Sequence, residues 1–281
     1  MAADEIRVLS APDLAQFLAL VERDPVVNVF ADYRARTTGL DPRWLGGQVW
    51  GRFVDDVLVA ACHAGANLVP VQCDPVSASR FARYAARNGR RSSTIVGPDL
   101  AVDQIMHGLD GRWGVPREQR RRQPHLEIAG SPAVAPDPEV RATTRDDMAE
   151  LYPACVAMYT EEVGVSPESA GGADLYRARV QQLISKRWSF ARFEPGTGRV
   201  LFKAEVACVS PFAAQVQGVY VPPDRRGEGL ATAGMAAVVE HVRRDIAPVV
   251  SLYVNDWNLP ARRAYERVGF TETARFATVM F

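Results

Sequence analysis

Gln215-Val216-Gln217-Gly218-Val219-Tyr220-Val221-Pro222-Pro223-Asp224-Arg225-Arg226-Gly227-Glu228-Gly229-Leu230-Ala231 is the stretch around which the chain is organised. It reads as a half-polar strand, two prolines, a short charged turn and a glycine-bearing helix start. Proline has no N–H, so ladder pairing is expected to stop at Val221. From Arg226 to Ala231 the backbone is nearly bare where a helix begins. The first amides of a helix lack internal partners, and the macrodipole makes that end positive. Glycines there let an anion approach the main chain closely, which is the build of a phosphate cradle. A P-loop would require Lys and then Ser or Thr after its last Gly, whereas Leu230 and Ala231 follow Gly229. A dinucleotide fingerprint would require its glycines directly after the strand, and here an arginine-rich turn intervenes. The plain alternative is a glycine turn that opens a helix without any ligand.

Working outward, residues 139–281 read as one α/β unit. Glu139 to Ala142 is a strand. A helix capped by Thr144 or Asp146 follows, and then an acidic, irregular stretch from Tyr159 to Pro167 with Glu161 and Glu162. Asp174 to Trp188 is a second helix, with Leu175, Val180, Leu183 and Ile184 as its apolar stripe. Ser189–Glu194, Arg199–Ser210 and Gln215–Val221 read as antiparallel strands. A helix from Gly229 to Asp245 leads to a buried strand, Val249–Val254, as in a parallel crossover. Asn258 or Pro260 opens a last helix that Gly269 ends, and Phe270–Phe281 closes the unit as a β segment.

Residues 1–130 read as another α/β unit. Its strands are Ile6–Leu9, Val49–Val54, Val57–His63, Asn67–Val71 and Ser93–Val96. Its helices are Asp13–Arg23, Val26–Arg36, Ser77–Asn88 and Ala101–Leu109. Arg112 to Pro138 is read as the connection, with His125–Ala129 as a short strand and 131–138 as the linker proper. The cluster Arg117, Arg120, Arg121 and Arg122 is either a solvated face or a phosphate contact.

The 281 residues suffice for two domains. Lys+Arg and Asp+Glu are both 33, so net charge gives no reason to expect nucleic acid or an anionic membrane. No apolar run approaches the roughly 18 residues of a membrane span, and the N-terminus lacks a signal pattern. Cys62, Cys73, Cys155 and Cys208 are widely spaced among apolar neighbours and read as reduced core thiols of a cytoplasmic protein. With the four histidines equally scattered, no metal site is expected.

The pattern Arg-x-x-Gly-x-Ala resembles the pyrophosphate loop of the GNAT superfamily of acetyl-CoA-dependent N-acyltransferases. Leu252-Tyr253-Val254-Asn255 with Asn258 and Ala261 resembles the family's strand-end Asn segment. Ala264-Tyr265-Glu266-Arg267-Val268-Gly269-Phe270 resembles its Tyr-x-x-x-Gly-Phe ending. The element order over 139–281 is that of the whole fold, a mixed, mainly antiparallel sheet flanked by helices. The first domain resembles a degenerate copy without the glycine loop. The whole chain resembles actinobacterial members with an N-terminal domain of unknown function and, more distantly, tandem enzymes such as mycothiol synthase.

The resemblance implies acetyl-CoA as co-substrate and an amine as acceptor. It implies cofactor contacts from Val219, Tyr220 and Val221 on the strand, and from Arg226, Gly227, Glu228, Gly229, Leu230 and Ala231 in the loop. Asn255, Asn258 and Ala261 would lie beside the pantetheine, although both asparagines could equally cap or turn the chain. Tyr265 resembles the acid that protonates the departing thiolate, and its other role is packing. Glu205, alone in an apolar strand, is the base candidate, its carboxylate desolvated or else ion-paired with Lys203 or an arginine. Gln215 and Gln217 stand where the family often places its base and cannot accept a proton, so Glu161 and Glu162 remain acceptor-site candidates. The function expected is an acetyltransferase acting on a small-molecule or peptide amine, as monomer or homodimer, without nucleic acid, membrane or metal. The alternative is an acyl-CoA-binding sensor without turnover. The first domain is expected to shape the acceptor site and to bind no acetyl-CoA itself.

Overall fold

A computed structural model describes residues 4–281. The chain forms two compact units. The first holds the residues up to Leu126 together with Tyr253–Trp257 and Glu272–Phe281; the second holds Glu127–Leu252 and Asn258–Thr271. The division therefore does not follow a single linker at 131–138.

The first unit runs β1 (Asp4–Val8), α1 (Leu14–Val21), α2 (Val29–Thr38), α3 (Pro42–Leu45), β2 (Gln48–Val54), β3 (Val57–Ala64), β4 (Asn67–Val71), α4 (Pro75–Asn88), β5 (Thr94–Pro98), α5 (Asp99–Leu109) and β6 (Glu118–Ile128). β2 and β3 form a hairpin across Asp55-Asp56, both left-handed as a tight two-residue turn demands. β4 and β5 are parallel but pair only at Asn67–Leu68 with Thr94–Ile95. Beyond that, a Cβ on Gly97 would lie 3.1 Å from the Pro70 ring, so only glycine lets β5 lie that close to Pro70. The next helix, α4, is closed to anions by its own chain. Asp74 caps it by accepting from the Ser77 amide at 2.7 Å, and Pro75 removes one N–H.

The connection read into Arg112–Pro138 is corrected by β6, an eleven-residue strand that contains the arginine run and Pro124. Charge and proline hid it. Arg120 is buried and paired with Glu118 at 2.7 Å, while Arg121 and Arg122 face outward.

The second unit runs β7 (Arg141–Ala142), α6 (Met148–Val163), α7 (Ala173–Ser185), β8 (Ser189–Phe193), β9 (Val200–Val209), β10 (Ala213–Tyr220), α8 (Leu230–Asp245), β11 (Val249–Tyr253) and α9 (Leu259–Val268), followed by β12 (Thr271–Met280). Its sheet has the order β11-β10-β9-β8-β7. α6 and α7 cover one face through Leu151, Tyr152, Cys155, Val180 and Ile184 on Ala191 and Val200. Each such fully buried aliphatic side chain contributes about 1.5–3 kcal/mol. α8 packs on the other face so closely that a Cβ on Gly234 would stand 2.7 Å from the Phe202 ring. The start of α6 is fixed by Asp147, which accepts from the Thr144 amide and pairs with Arg141. Those contacts, the Arg141 hydrogen bond foremost, hold its carboxyl down at about 2.

Two expectations change here. α6 continues to Val163 before Gly164 ends it in a left-handed turn, so Glu161 and Glu162 sit on a helix and not in an irregular stretch. The closing strand β12 pairs antiparallel with β5 of the first unit, from Phe276↔Pro98 to Met280↔Thr94.

Candidate active site

β10 and β11 lie parallel, joined by α8, and pair only over Ala213–Gln215 with Val249–Ser251. Beyond Gln215 the two strands separate. The prolines were expected to cause this, but pairing ends seven residues before Pro222. The β10–β9 register shifts at that same point, between Gln215↔Cys208 and Val216↔Val206, and a second shift, the bulge at Gly218, follows between Gln217↔Glu205 and Tyr220↔Lys203, with Gly218 left-handed inside it. A Cβ on Gly218 would lie 3.0 Å from the Glu205 carboxyl carbon and 3.1 Å from the Met158 methyl, so glycine lets β10 bend over Glu205.

After a 3₁₀ turn at Pro223–Arg225, Gly227 and Gly229 are both left-handed, and a Cβ on either would meet nothing within 4 Å. Gly229 is the N-cap of α8. The amides of Gly227, Glu228, Gly229, Leu230 and Ala231 make no backbone hydrogen bond among the described residues, whereas the Arg226 amide reaches Pro223 O at 3.4 Å. The cradle is thus five amides, not the six expected. Its side chains are tied down: Arg225 pairs with Glu228 and Glu194, and Arg226 donates to Val221 O at 3.1 Å. That bond occupies the Val221 carbonyl expected to be open to a pantetheine amide.

Arg226 also pairs with Glu161 at 2.7 Å, joining the loop to the last turn of α6. Tyr220 lies beside this pair; burial first and then the Glu161 carboxylate raise its phenol above the ordinary value. Glu162, the next residue, acts by its charge on Tyr265. Burial foremost, and then the Glu162 charge, raise the Tyr265 phenol well above its usual range, so it stays protonated. Tyr265 is buried on α9 with its ring edge toward Phe270, and its hydroxyl has no hydrogen-bond partner among the described residues. Proton transfer from it to a thiolate is steeper than its ordinary value implies.

Asn258 spends Oδ1 on capping α9, accepting from the Ala261 amide at 3.2 Å. Asn255 belongs to the first unit, where it accepts from Gln123 Nε2 at 2.9 Å.

Glu205 is not a lone desolvated carboxylate. Lys203, fully buried two residues away on the same strand face, places Nζ 3.2 Å from Oε2. Gln217 donates Nε2 to Oε1 at 2.9 Å. Burial, the largest single effect, works against the Lys203 charge, but Glu205 and Cys155 together outweigh it and the ammonium is held above its usual value. Gln217 cannot take a proton and so is no base candidate; its place opposite Glu205 follows from the register shift between Gln215 and Val216, which nothing in the sequence signals.

Among the described residues no group of His, Cys, Asp or Glu is arranged to hold a metal, and no helix is long and apolar enough to cross a membrane. All four cysteines are free thiols, three of them buried.

Residues 190–270 match the acetyltransferase (GNAT) family, and residues 47–151 match a domain of unknown function, DUF4081. A mycothiol acetyltransferase of Brachybacterium faecium is 31% identical over 150 residues, covering 50% of this chain and 44% of that protein. The match thus spans less than half the length of the relative. A GCN5-related N-acetyltransferase from Sphaerobacter thermophilus superposes with a TM-score of 0.63 at 14% identity, over 98% of this chain and 94% of the other. A tandem GNAT protein from the clavulanic acid biosynthesis pathway gives 0.54 at 15% identity, over 99% and 98%. At these identities the two structures establish a shared fold.

Proposed function

We propose, starting from a chain that belongs to the acetyltransferase (GNAT) family through residues 190–270, that it transfers the acetyl group of acetyl-CoA to a primary amine of a small molecule or peptide by direct attack. The observation that carries this reading is the loop at 227–231: five unpaired amides, two left-handed glycines with open faces, and the positive end of a sixteen-residue helix. Such an end favours a pyrophosphate. The curated relative's name supports acetyl transfer and says nothing of this chain's acceptor.

In this reading the pantetheine lies where β10 and β11 separate, against Val219, Tyr220 and Asn258. Asn258 has its amide nitrogen left for a ligand after Oδ1 has capped α9. Tyr265 faces the leaving sulfur. Its raised phenol acts first as a hydrogen-bond donor that stabilises the developing thiolate, and the proton follows as the C–S bond breaks. Burial, with the Glu162 charge adding to it, keeps that phenol protonated. Glu205 is a fixed charge cancelled by Lys203. The first unit carries no second acetyl-CoA site, because Asp74 and Pro75 already close the end of α4. The neutral net charge and the reduced thiols support a cytoplasmic protein, monomeric or homodimeric, acting without metal, nucleic acid or membrane.

A second reading, acyl-CoA binding without turnover, is favoured by one observation: the Glu205 carboxylate beneath the bulge is already paired with Lys203. Calorimetry of the intact chain with acetyl-CoA, followed by thiol release over a panel of amines, separates the two. Binding without thiol release selects the sensor, and the absence of binding removes both.

A further inference from the structure

Beneath the bulge, Lys203, Glu205 and Gln217 form a line of buried-to-exposed polar groups. Lys203 is fully enclosed, Glu205 is nearly so, and Gln217 reaches solvent. β8 pairs Ser189 with Glu205, and the Arg179 guanidinium of α7 acts on Tyr176 and on Cys208 farther along β9. β9 brings the Lys203 ammonium, and β10 brings the Gln217 amide. α6 brings Cys155 and Met158, and α7 brings Tyr176. Burial foremost raises both the Cys155 thiol and the Tyr176 phenol, so both stay neutral. The Glu205 carboxylate thus meets the Lys203 ammonium directly, with the Arg179 charge acting on Tyr176 beyond them.

An ionised carboxylate only accepts hydrogen bonds. Glu205 Oε1 must therefore receive the NH₂ of Gln217, as the 2.9 Å contact has it, and the amide cannot turn over without setting oxygen against oxygen. The Gln217 carbonyl consequently points away from Glu205. Gln217 is the last residue before the bulge, on the face covered by α6 and α7, beside the point where β10 leaves β11.

We infer that the Gln217 side-chain carbonyl receives the acceptor nitrogen, and that the acceptor is an α-amine-like group, largely neutral at the working pH. The inference rests on the acetyltransferase reading. A carbonyl accepts one N–H of a neutral amine and leaves the nitrogen lone pair free to attack the thioester carbon. The N–C bond forms and the C–S bond breaks. The N–H proton ends on sulfur by way of the Tyr265 hydroxyl, so the products are the acetamide and the free thiol. No step needs an enzyme carboxylate to strip an ammonium. α-Amines titrate at about 7.7–8.0 and lysine-type amines at about 10.4, so the former are neutral about 200–300-fold more often near pH 7.5.

The test uses the intact chain, saturating acetyl-CoA, and two probes, glycinamide and n-butylamine, followed by thiol release. Glycinamide is expected to exceed butylamine in kcat/KM by about 200-fold at pH 7.5, each profile rising to that amine's own pKa. Gln217→Leu, at an exposed position, lowers kcat/KM for glycinamide by about tenfold, the loss of one hydrogen bond, and leaves acetyl-CoA affinity unchanged. Glu205→Gln frees the amide to turn and lowers kcat/KM a few-fold without moving the profile. Lys203→Met combined with Glu205→Met gives the same outcome should the single variant fail to fold. Equal rates with the two amines, a profile set by one enzyme group whatever the amine, or an unaffected Gln217→Leu overturns the inference. Acetyl-CoA binding without turnover of either amine also overturns it while the cofactor reading stands; loss of acetyl-CoA binding in the unaltered chain overturns that reading.

Discussion

The ammonium of Lys203, with no exposed surface, lies 3.2 Å from the carboxylate of Glu205 in the middle of β9. The pair is enclosed by α6 and α7, so neither charge can be rehydrated if the other is removed. Lys203→Met is therefore expected to cost about 3–5 kcal/mol, whereas replacing both residues by methionine costs much less or nothing. Urea unfolding of the two variants decides it. A single substitution no worse than the double one would show that the pair is not desolvated as placed.

Gly229 tests the anion cradle. Its φ is +83° and its missing Cβ faces open space. Gly229→Glu puts a carboxylate in front of the five amides at a strain of about 1–2 kcal/mol. Acetyl-CoA binding should vanish by calorimetry, with only a modest fall in Tm. Unchanged affinity would remove the loop from the cofactor site.

Tyr265→Phe removes a hydroxyl that has no hydrogen-bond partner among the described residues and leaves the buried ring against Phe270. Stability and acetyl-CoA affinity should be unchanged. Turnover should fall by about 10²–10⁴-fold, as for a lost acid or oxyanion-type donor. A variant with ordinary kcat would reduce Tyr265 to packing.

The glycine loop, Tyr265 and the parallel crossover from β10 to β11 were legible because each is local. Glycine at a helix start, a Tyr-x-x-x-Gly-Phe ending and a helix between two apolar strands need no tertiary information. What could not be read is set by pairing. The register shift between Gln215 and Val216 decides which residue of β10 opposes Glu205, and nothing in Gln-Val-Gln-Gly-Val-Tyr fixes it. The arginines and Pro124 of β6 override strand propensity because the strand's neighbours, not its composition, hold it in a sheet. The partner of β12 is equally a matter of topology.

Two histidines of the first unit set its acid stability. Burial pushes His63 down from 6.5 to about 4, with Arg34 adding to the effect, and burial alone does the same to His125. In both cases the folded value lies below the unfolded one, so the unfolded chain takes up protons first. Stability is fully present above pH 6.5 and is lost as pH falls toward 4, by at most roughly 3 kcal/mol per histidine. The urea midpoint measured between pH 7.5 and 4.5 should fall through that window, and His63→Leu should flatten the fall. A midpoint level down to pH 4.5 would contradict the buried, neutral rings.

The last prediction concerns β12. Phe276, Ala277, Val279 and Met280 are all buried, and their strand pairs with β5 from Pro98 back to Thr94. Ala277 and Val279 also belong to the core that Phe81, Ile95, Val102 and Ile105 build in the first unit. A fragment from Ala135 to Phe281 keeps the acetyltransferase match and β12 but deletes β5 and that core. The fragment would carry a long apolar strand with an unpaired edge, a ready template for association. The expected outcome is a fragment that aggregates or unfolds without cooperativity, measured by light scattering and urea titration. The complementary cut, removal of Glu272–Phe281 from the whole chain, should destabilise the first unit, read as faster hydrogen exchange in β4 and β5. A soluble 135–281 fragment with a sharp unfolding transition would mean that β12 does not depend on β5 for its fold.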